Sequence, residues 1–334
     1  MSKSMKTLED YIMPTQQKLF DALRKKHDAN VIFCKKNYVL VRGEAPVLLL
    51  AHLDTVHKES VRDLCESADG NILMSPQGIG GDDRCGVYAI NTVYERSAVK
   101  PWLLFTCDEE IGGVGASTFC SHYRNKKFPA ELHEMKFLVE IDRKGANDAV
   151  YYSCENEEFE KYITSKGFET EYGSFSDISL VAPELGVAAV NLSSGYYNAH
   201  TQHEYINRKE LEATIERVLS IVADAVKPDT PVYEYTESSA FDDGWGPYFD
   251  YYYGRGCLQG NKKKDAEIIA IEEDPYLKAI PAEIREAYAV LMDFYTVEEL
   301  EAIRAENGDE FINILCEGEI GEYYGTVEDS EEVL

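Results

Sequence analysis

Residues Val47–His57 read VLLLAHLDTVH. Val47 to Leu50 show no polar alternation, so the run predicts a strand buried on both faces. Within two residues the chain changes character, to His52 and then Asp54. Such a strand delivers these residues to the carboxyl edge of a sheet, the edge where ligands bind in open α/β folds. Positions i and i+2 of an extended chain point the same way. His52 and Asp54 can then act together: the carboxylate holds the imidazole in one tautomer while the other ring nitrogen faces a metal. Taken alone, the pair fits a polar strand end with nothing bound better than a metal site, and the rest of the chain has to decide.

The chain has 334 residues, 44% of them hydrophobic, and a formal net charge of -28. That apolar share supports a large core, and the length suits one large domain with an addition. A field of this sign repels phosphate backbones and anionic lipid, so neither nucleic acid nor a membrane surface is an expected partner. No apolar run reaches membrane-spanning length, and the opening MSKSMKTLEDYIM lacks the apolar core of a signal peptide. The eight cysteines are scattered without a C-x-x-C pair, which reads as reduced, mostly buried thiols of a cytoplasmic protein.

Outward from the opening strand, the pattern is α/β. An N-terminal helical stretch is broken at Pro14, and NVIFCKKNYVLVRG reads as a hairpin turning at Lys36-Asn37. GIGGDDRCGVYAINTVYER runs from a glycine turn into a helix. PWLLFTCDEE and MKFLVEID are further apolar strands ending in acids, and VAAVNL is a fourth, with a loop leading to His200. NRKELEATIERVLSIVADAV is an amphipathic helix that stops before Pro228. The expected architecture is a mixed central sheet flanked by helices on both faces over residues 1–228. Residues 229–334 should form an acidic, aromatic-rich connector followed by short helices, a mainly helical C-terminal extension with an accessory role.

The strand ends therefore collect His52-x-Asp54, Asp82-Asp83, Glu109-Glu110, Asp142 and His200. Two histidines and three carboxylates suit two divalent ions with one carboxylate bridging. Paired zinc ions about 3.5–4 Å apart are a known hydrolytic device.

AHLDTV, GIGGDDRCG, FTCDEEIGGVGA and YYNAHTQHEY, taken in this order with Asp142, resemble the signatures of the co-catalytic zinc exopeptidases, the M20, M28 and M42 peptidases, which include peptidase T. The resemblance covers about residues 47–206. It implies two divalent metal ions, most simply Zn2+, with Mn2+ or Co2+ as alternatives. By this resemblance His52 and Asp142 face the first ion, Glu110 and His200 the second, and Asp82 bridges. Asp83 is then the neighbour of the bridging residue. Glu109 matches the general base, and Asp54 the aspartate that orients His52. The interval from Asp142 to His200 is too short for the inserted lid domain of M20 enzymes, so the layout is closer to a single-domain, M28-like aminopeptidase. GSFSDISLV in that interval resembles the Ser-Asp stretch of M28 enzymes.

The implied activity is hydrolysis of small peptides by an ion-activated water, in an enzyme that could be an oligomer. An M20-type carboxypeptidase, or an amidohydrolase removing an acyl group, remains open. So does a second class, a non-catalytic binding protein on a peptidase fold. Every expected position is filled, and that favours the enzyme. Arg143 and Tyr197 are candidate substrate contacts, the first for a carboxylate and the second, with its neighbour Tyr196, for an oxyanion. Cys85 and Cys107 read as core residues, and His27, His57, His122 and His133 as surface residues.

Overall fold

The computed structural model describes residues 5–125, 127–173 and 175–237, together with residues 304, 305 and 308. By its internal contacts the chain divides into two units, Met1–Asp243 and Gly244–Leu334. The first opens with α1 (Glu9–Ile12) and α2 (Gln16–Lys26), parted at Pro14. β1 (Val31–Cys34) and β2 (Tyr38–Val41) then form the expected antiparallel hairpin. The opening stretch forms β3 (Ala45–His52), followed by two short strands, β4 (Cys65–Glu66) and β5 (Ile72–Met74). Next come α3 (Gly81–Arg96), β6 (Pro101–Thr106), α4 (Val114–Arg124) and β7 (Phe137–Arg143). The interval before His200 holds β8 (Asp148–Val150), α5 (Glu157–Thr164), β9 (Glu169–Thr170), α6 (Ile178–Leu185), β10 (Ala189–Ser193) and β11 (Tyr196–Tyr197). β12 (Tyr205–Asn207) and α7 (Arg208–Ala225) follow. The Asn207 side chain caps α7 by accepting the amide of Glu210.

Eight strands form one mixed sheet in the order β1-β2-β6-β3-β7-β10-β8-β9. Its centre is parallel: β3 pairs with β6 and β7, and β7 with β10. The hairpin adds antiparallel strands at one side and β8 does so at the other. A small second sheet, β11-β12-β5-β4, lies apart from it. The interval between Asp142 and His200 is thus part of the same body, since β8, β9 and β10 all belong to the main sheet.

The unbroken apolar run of β3 follows from burial on both sides. Val47, Leu49 and Ala51 join the core that contains Val87, Ile90 and Val93 of α3 and Ile215, Val218 and Ile221 of α7. Leu48 and Leu50 join the opposite core, with Ala116 and Phe119 of α4 and Ile178 and Val181 of α6. Successive side chains alternate between two helical layers, so from Val47 to His52 every position of the strand is buried. Because the central strands are parallel, the ends of β3, β6, β7 and β10 all fall at one edge of the sheet.

Beyond Pro228 the chain stays on this body as far as Glu237. Glu234 bridges to Val187 and Glu237 to Cys154, and Tyr233 is buried with its ring 5.0 Å from that of Phe159. The short helices expected within residues 229–334 lie outside the described residues, except that residues 304 and 305 are helical and the Gly308 amide, at φ +85, bonds to the Arg304 carbonyl. Among the described residues no helix is long and apolar enough to cross a membrane.

Candidate metal centre

His52 is the last residue of β3 and is fully buried. Its backbone amide donates to Asp83 Oδ2 at 3.1 Å, and its ring sits between carboxylates. Nδ1 lies 3.3 Å from Asp54 Oδ1, while Nε2 lies 3.1 Å from Asp82 Oδ1 and 3.5 Å from Asp142 Oδ1. The other oxygen of Asp82 faces the second histidine: His200 Nε2 is 3.2 Å from Asp82 Oδ2 and 3.1 Å from Glu110 Oε2. Two groups of three result, His52-Asp82-Asp142 and Asp82-Glu110-His200, each with its donor atoms within 4.8 Å of one another. Asp82 belongs to both and gives one oxygen to each.

The chain holds these groups by local means. Asp82 lies in the non-helical first turn of α3, at φ -80 and ψ 106, just after Gly80 in the left-handed region. The Asp82–Asp83 peptide bond is cis. Asp83 is buried and faces away from the two histidine rings, taking the amides of His52 and of Gly86, the latter at 2.9 Å. The glycine four residues after Asp82 has a steric cause, since a Cβ on Gly86 would lie 2.0 Å from the Ile141 carbonyl oxygen of β7. Asp54 accepts the amides of both Glu109 and Glu110 at 3.1 Å, one on each oxygen. Asn191 of β10 clamps the Asp142 backbone, accepting its amide at 2.8 Å and donating to its carbonyl at 3.1 Å.

Electrostatics tests whether these residues fit metal ions. Burial disfavours a charged His52, yet Asp142, Asp54 and Asp82 outweigh it and push the imidazole well above its usual range. Hydrogen bonds to the carboxylates of Asp82 and Glu110 push His200 up to about 10. Asp82, which faces both rings, is held below the usual carboxylate range despite its burial. Burial and the Asp82 charge push Asp142 up to about 8. Without ions, protons on the two rings are what offsets so much buried negative charge. A divalent ion in each group would supply that positive charge and leave the rings neutral, as ligation requires. Glu110 Oε1 is also buried without a hydrogen-bond partner. The donor set of imidazole nitrogen and carboxylate oxygen suits zinc and its near neighbours.

Glu109 comes to the same place. Its carboxylate accepts no hydrogen bond from the described residues, and burial, with the charges of Asp177, Asp142 and Glu110 against that of His52, raises its pKa well above the ordinary value.

The two candidate substrate contacts point elsewhere. The Arg143 guanidinium reaches the Tyr172 carbonyl at 3.0 Å and lies 3.5 Å from Asp148. The Tyr197 hydroxyl donates to Glu210 at 2.6 Å, and its ring stacks on Tyr205. Its neighbour Tyr196 is the tyrosine at the centre, with its hydroxyl 3.4 Å from Asp142 Oδ1.

Cys85 and Cys107 are core residues, as expected. Three of the four histidines read as surface residues are engaged. His27 is buried and 2.9 Å from Asn91 Oδ1, because the end of α2 packs on α3. His122 Nδ1 is 2.5 Å from the Tyr38 hydroxyl. His57 Nε2 is 2.8 Å from Glu204, a fully buried carboxylate whose role the sequence did not suggest. His133 is exposed. Asn191 carries no signature of its own, whereas Glu204 stands in the YYNAHTQHEY signature, four residues after His200, with no role attached to it.

No protein-family model matches the chain. Among solved structures it is similar to a tripeptidase from Staphylococcus aureus, at 15% identity and a TM-score of 0.50, over 66% of this chain and 96% of that one. It is also similar to a TET aminopeptidase from a marine-sediment Thaumarchaeota archaeon, at 12% identity and a TM-score of 0.51, over 68% and 97%. By sequence it is 31% identical over 103 residues to a probable carboxypeptidase of Aspergillus niger. That match spans 29% of this chain and only 24% of the relative's length. At these identities the structural likeness is one of fold. The chain has the zinc-exopeptidase fold, with a mixed eight-stranded sheet and a His/Asp/Glu group able to hold metal at its carboxyl edge.

Proposed function

We propose that this chain is a di-metal exopeptidase of small peptides, in the form of an aminopeptidase. One observation carries the proposal: a single carboxylate, Asp82, has an imidazole on each of its oxygens, beside a Glu109 carboxylate that no described residue engages. His52, Asp82 and Asp142 would hold one ion and Asp82, Glu110 and His200 the other, with Zn2+ the best match to the donors and Mn2+ or Co2+ the alternatives. When bound, such ions lower the pKa of a water toward about 7 and polarise the scissile carbonyl.

The remaining chemistry belongs to the chain's own residues. Glu109 takes a proton from the attacking water and delivers it to the leaving nitrogen as the C–N bond breaks, so the proton count balances. Its raised affinity for a proton suits a group that must accept one and then give it up. Asp54 keeps Glu109, Glu110 and His52 in register through three contacts from one carboxylate. The charges at the site favour a substrate's amino end over its carboxyl end. Arg143, the candidate partner for a substrate carboxylate, is already engaged by Asp148 and the Tyr172 carbonyl, which supports recognition at the amino end.

The carboxypeptidase reading has one specific support, the 103-residue match to the probable carboxypeptidase. A panel of free, N-acetylated and C-amidated di- and tripeptides, with zinc, manganese or cobalt added, separates the readings. An aminopeptidase cleaves the free and C-amidated peptides and spares the N-acetylated ones. Cleavage that needs a free carboxyl end would replace it with a carboxypeptidase, and release of acetate with a deacylase. Protein that binds both ions and cleaves nothing in the panel would refute the enzyme reading.

A further inference from the structure

Glu204 is a fully buried carboxylate that takes part in neither group of metal-facing residues, and each of its contacts leads back to them. Oε1 accepts the backbone amide of Asp82 at 2.9 Å. Oε2 accepts the amide of Gly80 at 2.9 Å and faces His57 Nε2 at 2.8 Å. With backbone donors on both oxygens, His57 meets the carboxylate as a third N–H donor. His57 is held in place in turn, since a Cβ on Gly78 would lie 2.2 Å from its Nδ1. One side chain thus ties together three segments: the loop after β3 that carries Asp54, the turn from Gly80 to Asp82 where α3 begins, and the loop that carries His200.

We infer that Glu204, oriented by His57, is a positioning residue that sets the affinity of the ion held by Asp82, Glu110 and His200. The inference rests on the di-metal reading and adds a selectivity between the two ions. In the His52 group, two of the three residues have other anchors: Asp83 holds the His52 amide and Asn191 clamps Asp142. In the His200 group only Glu110 does, through Asp54. Asp82 depends on Glu204 directly, and His200 depends on it through a loop so open that the His200 side chain is 55% exposed. Loss of Glu204 loosens two residues of that group but only one of the other.

The test titrates Zn2+ into chelator-stripped, full-length protein against a chromophoric zinc chelator, which reads both affinities without any turnover. The wild type should bind two ions. Glu204→Gln turns an amide NH2 toward a backbone N–H and should weaken the second ion by about 10- to 100-fold, the usual effect of losing a residue that orients a ligand, while the first stays within about threefold. His57→Leu should act in the same direction. His57→Gln, which can still donate to Oε2, should restore most of the affinity. If Glu204→Gln does not fold, the His57 pair decides the matter alone. Equal weakening of both ions together with a lower metal-free Tm would show a purely structural role and overturn the inference, as would an unchanged second affinity in a folded variant. A wild type that fails to bind two ions would instead overturn the di-metal reading.

Discussion

Replacing Asp54 with Asn changes no volume and removes one charge, yet the geometry gives it a defined cost. The carboxylate accepts the Glu109 amide on Oδ1 and the Glu110 amide on Oδ2, and Oδ1 also faces His52 Nδ1. An amide has only one acceptor oxygen. If that oxygen keeps Glu109 and His52, the NH2 confronts the Glu110 amide. If it flips, the NH2 confronts both the Glu109 amide and the imidazole. Either orientation strands a buried backbone donor, at about 1–3 kcal/mol. The flipped form also offers a donor to His52 Nδ1, which favours the tautomer with the proton on Nε2, the nitrogen that faces Asp82 and Asp142. We expect metal affinity to fall about 10- to 100-fold. Since a misdirected Glu109 adds to this, turnover at saturating metal should fall by at least about tenfold, the equivalent of about 1.4 kcal/mol. Chelator competition reads the first effect and stopped-flow peptide hydrolysis the second. An Asp54→Asn protein with wild-type affinity for both ions and turnover within about threefold would refute the idea that this carboxylate organises the centre.

Glu109→Gln should keep both ions and the fold while losing about 100- to 10,000-fold in turnover, whereas Glu110→Gln should lose an ion; metal analysis that gives the reverse pattern would exchange their roles. The metal-free protein should lose stability on the alkaline side. The Asp82 and Glu110 carboxylates push His200 up to about 10 from the usual 6.5, so its contribution is complete below about pH 6.5 and disappears as the pH rises through about 10. Thermal melts in chelator at pH 6 and pH 10 should therefore differ more in the wild type than in His200→Ala, and equal differences would contradict this. Gly86→Ala places a methyl group 2.0 Å from the Ile141 carbonyl oxygen; overpacking of this kind costs about 1–3 kcal/mol or more, and an unchanged Tm would mean that α3 and β7 are not held so closely.

The sequence carried the fold wherever periodicity and burial speak together. The unalternating run of β3 could arise only from helices on both faces, and its abrupt end marked the edge where the site forms. His52, Glu110 and Asp142 were legible because each stands at or just past the end of such a run, and Asp82 and His200 through the motifs around them. What was not legible depends on single-residue orientation or on loop closure. Tyr196 and Tyr197 are adjacent on a two-residue strand, so their side chains point to opposite faces. Nothing local says which one meets Asp142. Glu204 and His57 lie far apart in the chain and in loops, where polar residues are ordinarily solvated. Their burial appears only once the loops after β3 and before β12 have closed on each other. His27 was misplaced for a similar reason, since Asn91, its partner, lies on a different helix.

The metal-facing residues are spread from His52 to His200, on strand ends, a helix start and a loop that the sheet must first bring side by side. No short segment of the nascent chain carries enough of them to form a chelate, and Glu109 and Glu110 stand together without a histidine nearby in sequence. An emerging chain has no complete site until His200 has left the ribosome and β10 has joined β7. Until then the partly made protein has little with which to capture an ion in a wrong arrangement. Once the edge closes, mutually repelling acids are brought together in the last stage of assembly. The free energy of loading the ions is then stabilisation that only the finished sheet can collect.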